Sequence, residues 1–219
     1  GIGGVARPCW SGGELAAYGT ITPLSVAREQ LAAATVGDYA LFAGGDTGSY
    51  TSTLNNVDAY NKSLTRTIPT TLNKARHLLA GGSIGDYAVF AGGSQSGSYL
   101  TDGDAYDSSL TRTVFDLNTL RVGRQNLASA RVGNYLLFGG GRQYYSTGQV
   151  DAYNESLTTV TCPNLSSDRG QLAATSIGNY ALFGGGYNSN FSNVVDAYDD
   201  SLTQTIADVL SVSRSNLAA

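Results

Sequence analysis

The sequence contains no methionine, one histidine, one tryptophan and two cysteines among its 219 residues. Each scarcity excludes something. With His77 alone, a Ser-His-Asp or Cys-His catalytic system would hang on a single residue. No His/Cys/Asp cluster has metal-ligand spacing, so no metal or other cofactor is expected. Cys9 and Cys162 lie far apart and form neither a metal spacing nor a disulfide framework. They read as a pair of thiols, with a functional bridge as the alternative. Charged residues make up only 14% and the net charge is −4. A binder of nucleic acid or of an anionic membrane usually carries a basic patch, so neither partner is expected. No apolar run approaches the ~18 residues of a membrane-spanning helix, so no membrane insertion is expected, and no signal-peptide pattern stands at the start. Nothing singles out a pair of carboxylates for acid–base work, and the chain is not expected to be an enzyme. It opens on GIGGVARPCW without methionine and stops inside a repeat, which reads as a processed chain or an excised piece of a longer one.

What the sequence does have is repetition. VGDYALFAGG (36–45) returns as IGDYAVFAGG (84–93), VGNYLLFGGG (132–141) and IGNYALFGGG (177–186). The anchoring tyrosines, Tyr39, Tyr87, Tyr135 and Tyr180, are 48, 48 and 45 residues apart. VDAY at 57–60 returns at 103–106 as GDAY, and again as VDAY at 150–153 and 195–198. An arginine stands eleven residues before each tyrosine, at Arg28, Arg76, Arg124 and Arg169. A fixed period of this size marks a solenoid, a propeller or an array. Each unit is too short to bury a core alone and must stack on its neighbours.

Within a unit the patterning is that of strands. LAAATV (31–36) is a short apolar run. Gly37-Asp38, repeated as Gly85-Asp86, Gly133-Asn134 and Gly178-Asn179, is a tight-hairpin signal. YALFAGG is apolar on both faces, as expected of a strand buried between sheets, and its glycines allow a bulge or close backbone approach. VDAY alternates, with Asp58 and Tyr60 on one face and Val57 and Ala59 on the other. SLTRTIP (63–69) reads as a fourth strand, and Pro69 suits an edge-like end. Four antiparallel strands per unit is the arithmetic of a β-propeller blade. The fold expected is all-β.

A hydrophobic strand ending in Gly-Gly, followed by a variable loop and a tyrosine, resembles the kelch motif. The doublets are Gly44-Gly45, Gly92-Gly93, Gly140-Gly141 and Gly185-Gly186, and the tyrosines are Tyr60, Tyr106, Tyr153 and Tyr198. The tryptophan that kelch repeats carry about seven residues later is replaced by Thr67, Thr113, Val160 and Thr205. The resemblance spans the chain from about Leu15 onward and implies a kelch-type β-propeller over 14–219, with repeats at about 28–75, 76–123, 124–168 and 169–213. Residues 1–13 would be a linker segment. LAATSIGNYALFGGG, VVDAYDDSLT and TPLSVAR are similar to kelch-type repeats in tail-associated proteins of bacteriophages and prophages of gut Firmicutes. That implies a virion or extracellular location. Partial repeats at both ends (14–28 and 215–219) are expected to build one more blade together, making about five. The alternative is an open arc whose ends invite self-association.

Two sets of residues are candidates for special roles. The repeated Arg28, Arg76, Arg124 and Arg169 and the repeated Asp58, Asp104, Asp151 and Asp196 are expected to be framework partners, because a lone carboxylate in an apolar strand is costly. A ring of acids around a channel is the functional alternative. His77 stands where the other repeats hold Glu29, Gln125 and Gly170, a permissive position expected at the surface. The Gly-rich tracts lack the lysine and helix of a phosphate loop.

The second set lies in the tracts after Gly-Gly, which differ between repeats: DTGSYTSTLNN (46–56), SQSGSYLTDG (94–103), GRQYYSTGQ (141–149) and GYNSNFSN (186–193). Their Tyr, Ser, Gly and Asn content suits a recognition surface, and loops on a rigid scaffold concentrate binding residues. The bland alternative is solvated hairpin connections. The candidate ligand-binding residues are Tyr50, Tyr99, Tyr144, Tyr145, Tyr187, Asn188, Asn190 and Phe191. Aromatics among amides suit a bacterial surface glycan, by stacking on sugar faces, or a protein epitope.

Overall fold

The computed structural model describes residues 20–49, 51–114 and 119–218. Each repeat forms one four-stranded antiparallel sheet. The first comprises β1 (Ala32–Val36), β2 (Tyr39–Ala43), β3 (Val57–Asn61) and β4 (Arg66–Thr67). The second adds a small ribbon: β5 (Ala80–Ile84), β6 (Tyr87–Ala91), ribbon strands β7 (Ser94–Gln95) and β8 (Ser98–Tyr99), then β9 (Gly103–Tyr106) and β10 (Arg112–Val114). The third holds β11 (Ala128–Val132), β12 (Tyr135–Gly139), β13 (Val150–Asn154) and β14 (Thr159–Val160). The fourth holds β15 (Ala173–Ile177), β16 (Tyr180–Gly184), ribbon strands β17 (Tyr187–Asn188) and β18 (Asn190–Phe191), then β19 (Val195–Asp199) and β20 (Gln204–Ile206). The architecture is all-β and propeller-like, and none of the described residues is helical.

Local chemistry explains the strand order. Gly37 sits at φ +52°, so β1 and β2 join through a two-residue turn and pair in the register Val36↔Tyr39 to Ala32↔Ala43. Gly44 sits at φ +71°, and a Cβ there would come within 2.5 Å of the Arg76 carbonyl oxygen of the next repeat. The doublet is therefore where one blade's backbone touches the next, and Gly45 N–H donates to that same carbonyl at 2.9 Å.

The expected fourth strand over 63–69 is shorter than its sequence suggested. Asn61 Oδ1 accepts hydrogen bonds from the Ser63 and Thr65 N–H groups, both at 3.0 Å, and Leu64 takes φ +57°. The SLT tripeptide is thus a side-chain-capped turn, and the strand starts only at Arg66. Leu110, Leu157 and Leu202 repeat the positive φ, a strained conformation for a branched side chain. Leu202 offsets that strain by burying itself in the core between the third and fourth sheets.

The core is divided among the junctions between sheets. Val36, Leu41 and Ala59 of the first sheet pack against Ala88, Phe90 and Tyr106 of the second. Ile84 and Val89 meet Leu136, Phe138 and Tyr153 at the next junction. Val132 and Leu137 meet Ala181, Phe183 and Tyr198 at the last. The first strands line the inner side, where β1 packs on β5, β5 on β11 and β11 on β15. Serine hydroxyls stitch them: Ser83 Oγ donates to Thr35 O at 2.7 Å and Ser176 Oγ to Arg131 O at 2.6 Å.

Among the described residues the arc does not close. Val36, Ile84 and Val132 are 4%, 0% and 2% exposed, whereas Ile177 at the same repeat position is 65% exposed. The fifth blade expected from the two chain ends is not formed among the described residues. Residues 20–28 and 207–218 contain no strand, so the open arc is the arrangement observed.

Candidate functional site: the Gly-Gly loop face

The framework charges come first, because they hold the loops in place. Arg28 Nη1 lies 2.9 Å from Asp58 Oδ2, Arg76 Nη2 2.7 Å from Asp104 Oδ2, and Arg124 Nη1 2.7 Å from Asp151 Oδ2. Arg169 pairs likewise with Asp196. The four arginines also donate to the carbonyls of Phe42, Phe90, Phe138 and Phe183 at 3.0–3.3 Å. Those phenylalanines meet Tyr60, Tyr106, Tyr153 and Tyr198 edge to face at 5.8–6.2 Å. The aspartates therefore face the arginines of their own repeats and form no acidic ring. Each carboxylate has a second partner that sequence reasoning missed: Arg66, Arg112, Arg121 or Gln204. Burial pushes the hydroxyls of Tyr106 and Tyr198 upward from the usual phenol range. The Tyr106 and Tyr198 hydroxyls donate to the carbonyls of Thr70 and Pro163.

His77 is not on the surface. It is buried, with Nδ1 2.6 Å from Asp46 Oδ2 of the preceding blade. One junction further on, Ser94 Oγ donates to Gln125 Oε1 at 2.6 Å. The position expected to be permissive is a side-chain bridge between blades at two junctions, whose partner changes with the repeat.

The four tracts after Gly-Gly connect β2 to β3 and their counterparts, so they share one face of the arc. Adjoining loops touch. Tyr99 and Tyr144 pack edge to face at 5.7 Å, and Ser146 Oγ donates to Tyr187 O at 3.1 Å. Tyr187 and Phe191 pack at 5.4 Å across the β17–β18 ribbon, which also carries Asn188 and Asn190 on its exposed surface. Tyr144 and Tyr145 are 76% and 86% exposed. The structure thus brings Tyr99, Tyr144, Tyr187 and Phe191 into one run of neighbouring loops over the second, third and fourth blades. Tyr50 lies outside the described residues, as does Cys9. Cys162 is a free thiol, pushed up to about 12 by burial.

A second feature of the arc was missed. Gln30, Leu78, Asn126, Gln171 and Asn216 occupy one repeat position, all with positive φ. Their backbones form a belt in which Leu78 N–H donates to Gln30 O, Asn126 N–H to Leu78 O, Gln171 N–H to Asn126 O and Asn216 N–H to Gln171 O, at 2.9–3.0 Å. They line an open axial depression of about 290 Å³. The signal was a residue, Gln or Asn in four repeats and Leu78 in the other, recurring just before an invariant leucine. A larger depression of about 470 Å³ is lined by exposed turn residues such as Asp38 and Lys62. Among the described residues no group of His, Cys, Asp and Glu could hold a metal ion.

No family model matches the sequence, and no curated protein matches it. The structure is similar to the solved structure described as "Structure of YjhT", with a TM-score of 0.70 at 13% sequence identity. The match covers 87% of this chain and 73% of that one. Altogether 233 solved chains match this architecture, so the likeness describes the fold and leaves the function to the site.

Proposed function

We propose that the chain is a non-enzymatic binding module of kelch type that recognises a bacterial surface glycan or protein, in the setting of a phage tail or receptor-binding particle. The observation that carries this reading is the contrast within each repeat. Near-identical strands and paired charges hold a rigid frame, while the Gly-Gly loops differ, expose aromatic rings and touch one another across blades. Tyrosine supplies rigid contact area with little entropy to lose, and the neighbouring Ser and Asn side chains supply adaptable hydrogen bonds. The test is an array of bacterial surface glycans, probed with the protein and with a Tyr144→Ala/Tyr145→Ala/Tyr187→Ala variant. Binding that the variant loses supports the reading. A folded protein that binds no glycan moves the partner to a protein, and failure to bind intact bacteria as well rejects the recognition role.

One observation favours a second reading, in which the protein is an assembly element. The outer face of the fourth sheet exposes Ile177 where its siblings are buried, and Leu64 at the other end of the arc is exposed too. The two faces are the two halves of the junction already used three times in the chain. Copies stacked head to tail would repeat it, closing a ring or extending a filament according to the rotation per copy. Sedimentation of the protein beside an Ile177→Lys variant tests this. Oligomers that Ile177→Lys abolishes support it, and a monomer at all concentrations rejects it.

A further inference from the structure

The contacts at the base of the loops follow a rule that the first two junctions obey and the third cannot. The residue after each Gly-Gly doublet is Asp46, Ser94, Arg142 or Tyr187, and the residue after each following framework arginine is His77, Gln125, Gly170 or Ser215. Asp46 meets His77 and Ser94 meets Gln125. At the third junction the rule would set Arg142 against Gly170, which has no side chain to offer. Arg142 is partly buried, and its Nε is buried without an acceptor, as are those of Arg28, Arg76 and Arg169, which are paired through their other nitrogens. It makes no ion pair among the described residues, whereas Arg124 and Arg169 nearby in sequence are paired with Asp151 and Asp196.

Its surroundings point outward. Arg142 bridges in the backbone to Gln125 and Ser146 and begins the loop that exposes Tyr144 and Tyr145. That loop touches Tyr99 on one side and Tyr187 on the other. A guanidinium that has lost water at Nε but has no protein acceptor gains more from an external oxyanion than a fully solvated arginine does. Its planar fork matches the paired oxygens of a carboxylate or phosphate.

We propose that Arg142 is an anion subsite of the loop surface, binding a carboxylate or phosphate group carried by a glycan whose sugar rings lie against the flanking tyrosines. This rests on the recognition reading above and names its ligand as acidic. Calorimetric titration with polygalacturonate and with poly(glycerol phosphate) separates the two anion sources, and neutral dextran serves as control. Arg142→Gln is expected to weaken binding of the acidic polymer about tenfold or more, the loss of one charge-assisted contact. Gly170→Glu supplies the missing partner from the same repeat position that Glu29 occupies. It is expected to occupy Arg142 and weaken binding to the same degree, with a small loss of melting temperature because its Cβ lies 3.1 Å from the Gly141 backbone. Acidic-polymer binding untouched by both variants overturns the subsite. If Tyr144→Ala still abolishes that binding, the loop reading survives its loss. Equal binding to dextran also overturns the anion subsite, and no binding to either acidic polymer overturns the subsite while the glycan array still decides the recognition reading.

Discussion

The outer face of the second sheet and the outer face of the fourth are nearly the same in sequence and opposite in environment. IGDYAVFAGG lies beneath the third sheet, whereas IGNYALFGGG has no sheet above it among the described residues. Ile84 is fully buried and Ile177 largely exposed. The same inversion holds at the other end, where Leu202 fills a junction and Leu64, with an equivalent backbone, is left in the open. A repeat residue therefore has no fixed energetic role. Its contribution depends on whether a neighbour stands across the junction, the nearest-neighbour behaviour expected of stacked repeats.

The sharpest test removes a charge from an interior junction. Asp104→Ala strands the fully buried Arg76, and should lower stability by about 3–5 kcal/mol in urea denaturation. A loss below about 1 kcal/mol would mean that water reaches the junction and that interior and terminal faces are less different than they look. Next comes the matched pair at the compared position. Ile84→Ala should cost about 2–4 kcal/mol, and Ile177→Ala should stay within about 0.5 kcal/mol of wild type. Equal losses would show that the terminal face is covered in solution and would break the comparison.

The leucines in the SLT turns sharpen it further. Glycine relieves the left-handed strain at either site but gives up entropy in the unfolded chain. Leu64→Gly should be neutral to within about 0.5 kcal/mol, whereas Leu202→Gly should cost about 2 kcal/mol or more through lost burial. The smallest effect is chemical. The Cys162 thiol is pushed up from its ordinary 9.0 to about 12 by burial at the third junction. Its folded pKa lies above the unfolded one, so its contribution to stability is complete below pH 9.0 and is lost as pH rises towards about 12. Iodoacetamide at about pH 8 should label Cys162 far more slowly than an unfolded thiol, as peptide-resolved mass spectrometry would read. Labelling at the unfolded rate would show the junction to be open.

The strand order of each sheet, its hairpins and the partnering of its charges were legible in the sequence, because they follow from local rules applied four times over. Gly-Asp sets a turn, alternation in VDAY separates two faces, and an aspartate inside an apolar strand demands a partner. The loops were legible as a set from their variation against a constant frame. The number of sheets in the arc, the burial of His77, the isolation of Arg142 and the exposure of Ile177 were not. Each depends on which side chain stands across a junction, and that neighbour belongs to another repeat about 30 to 48 residues away. The sequence by itself determined what one blade is, since hydrogen-bond geometry and side-chain alternation act within a few residues. Only the tertiary structure decided which faces are paired and which are left free, because burial, ion pairing and the lack of a partner are properties of two surfaces meeting.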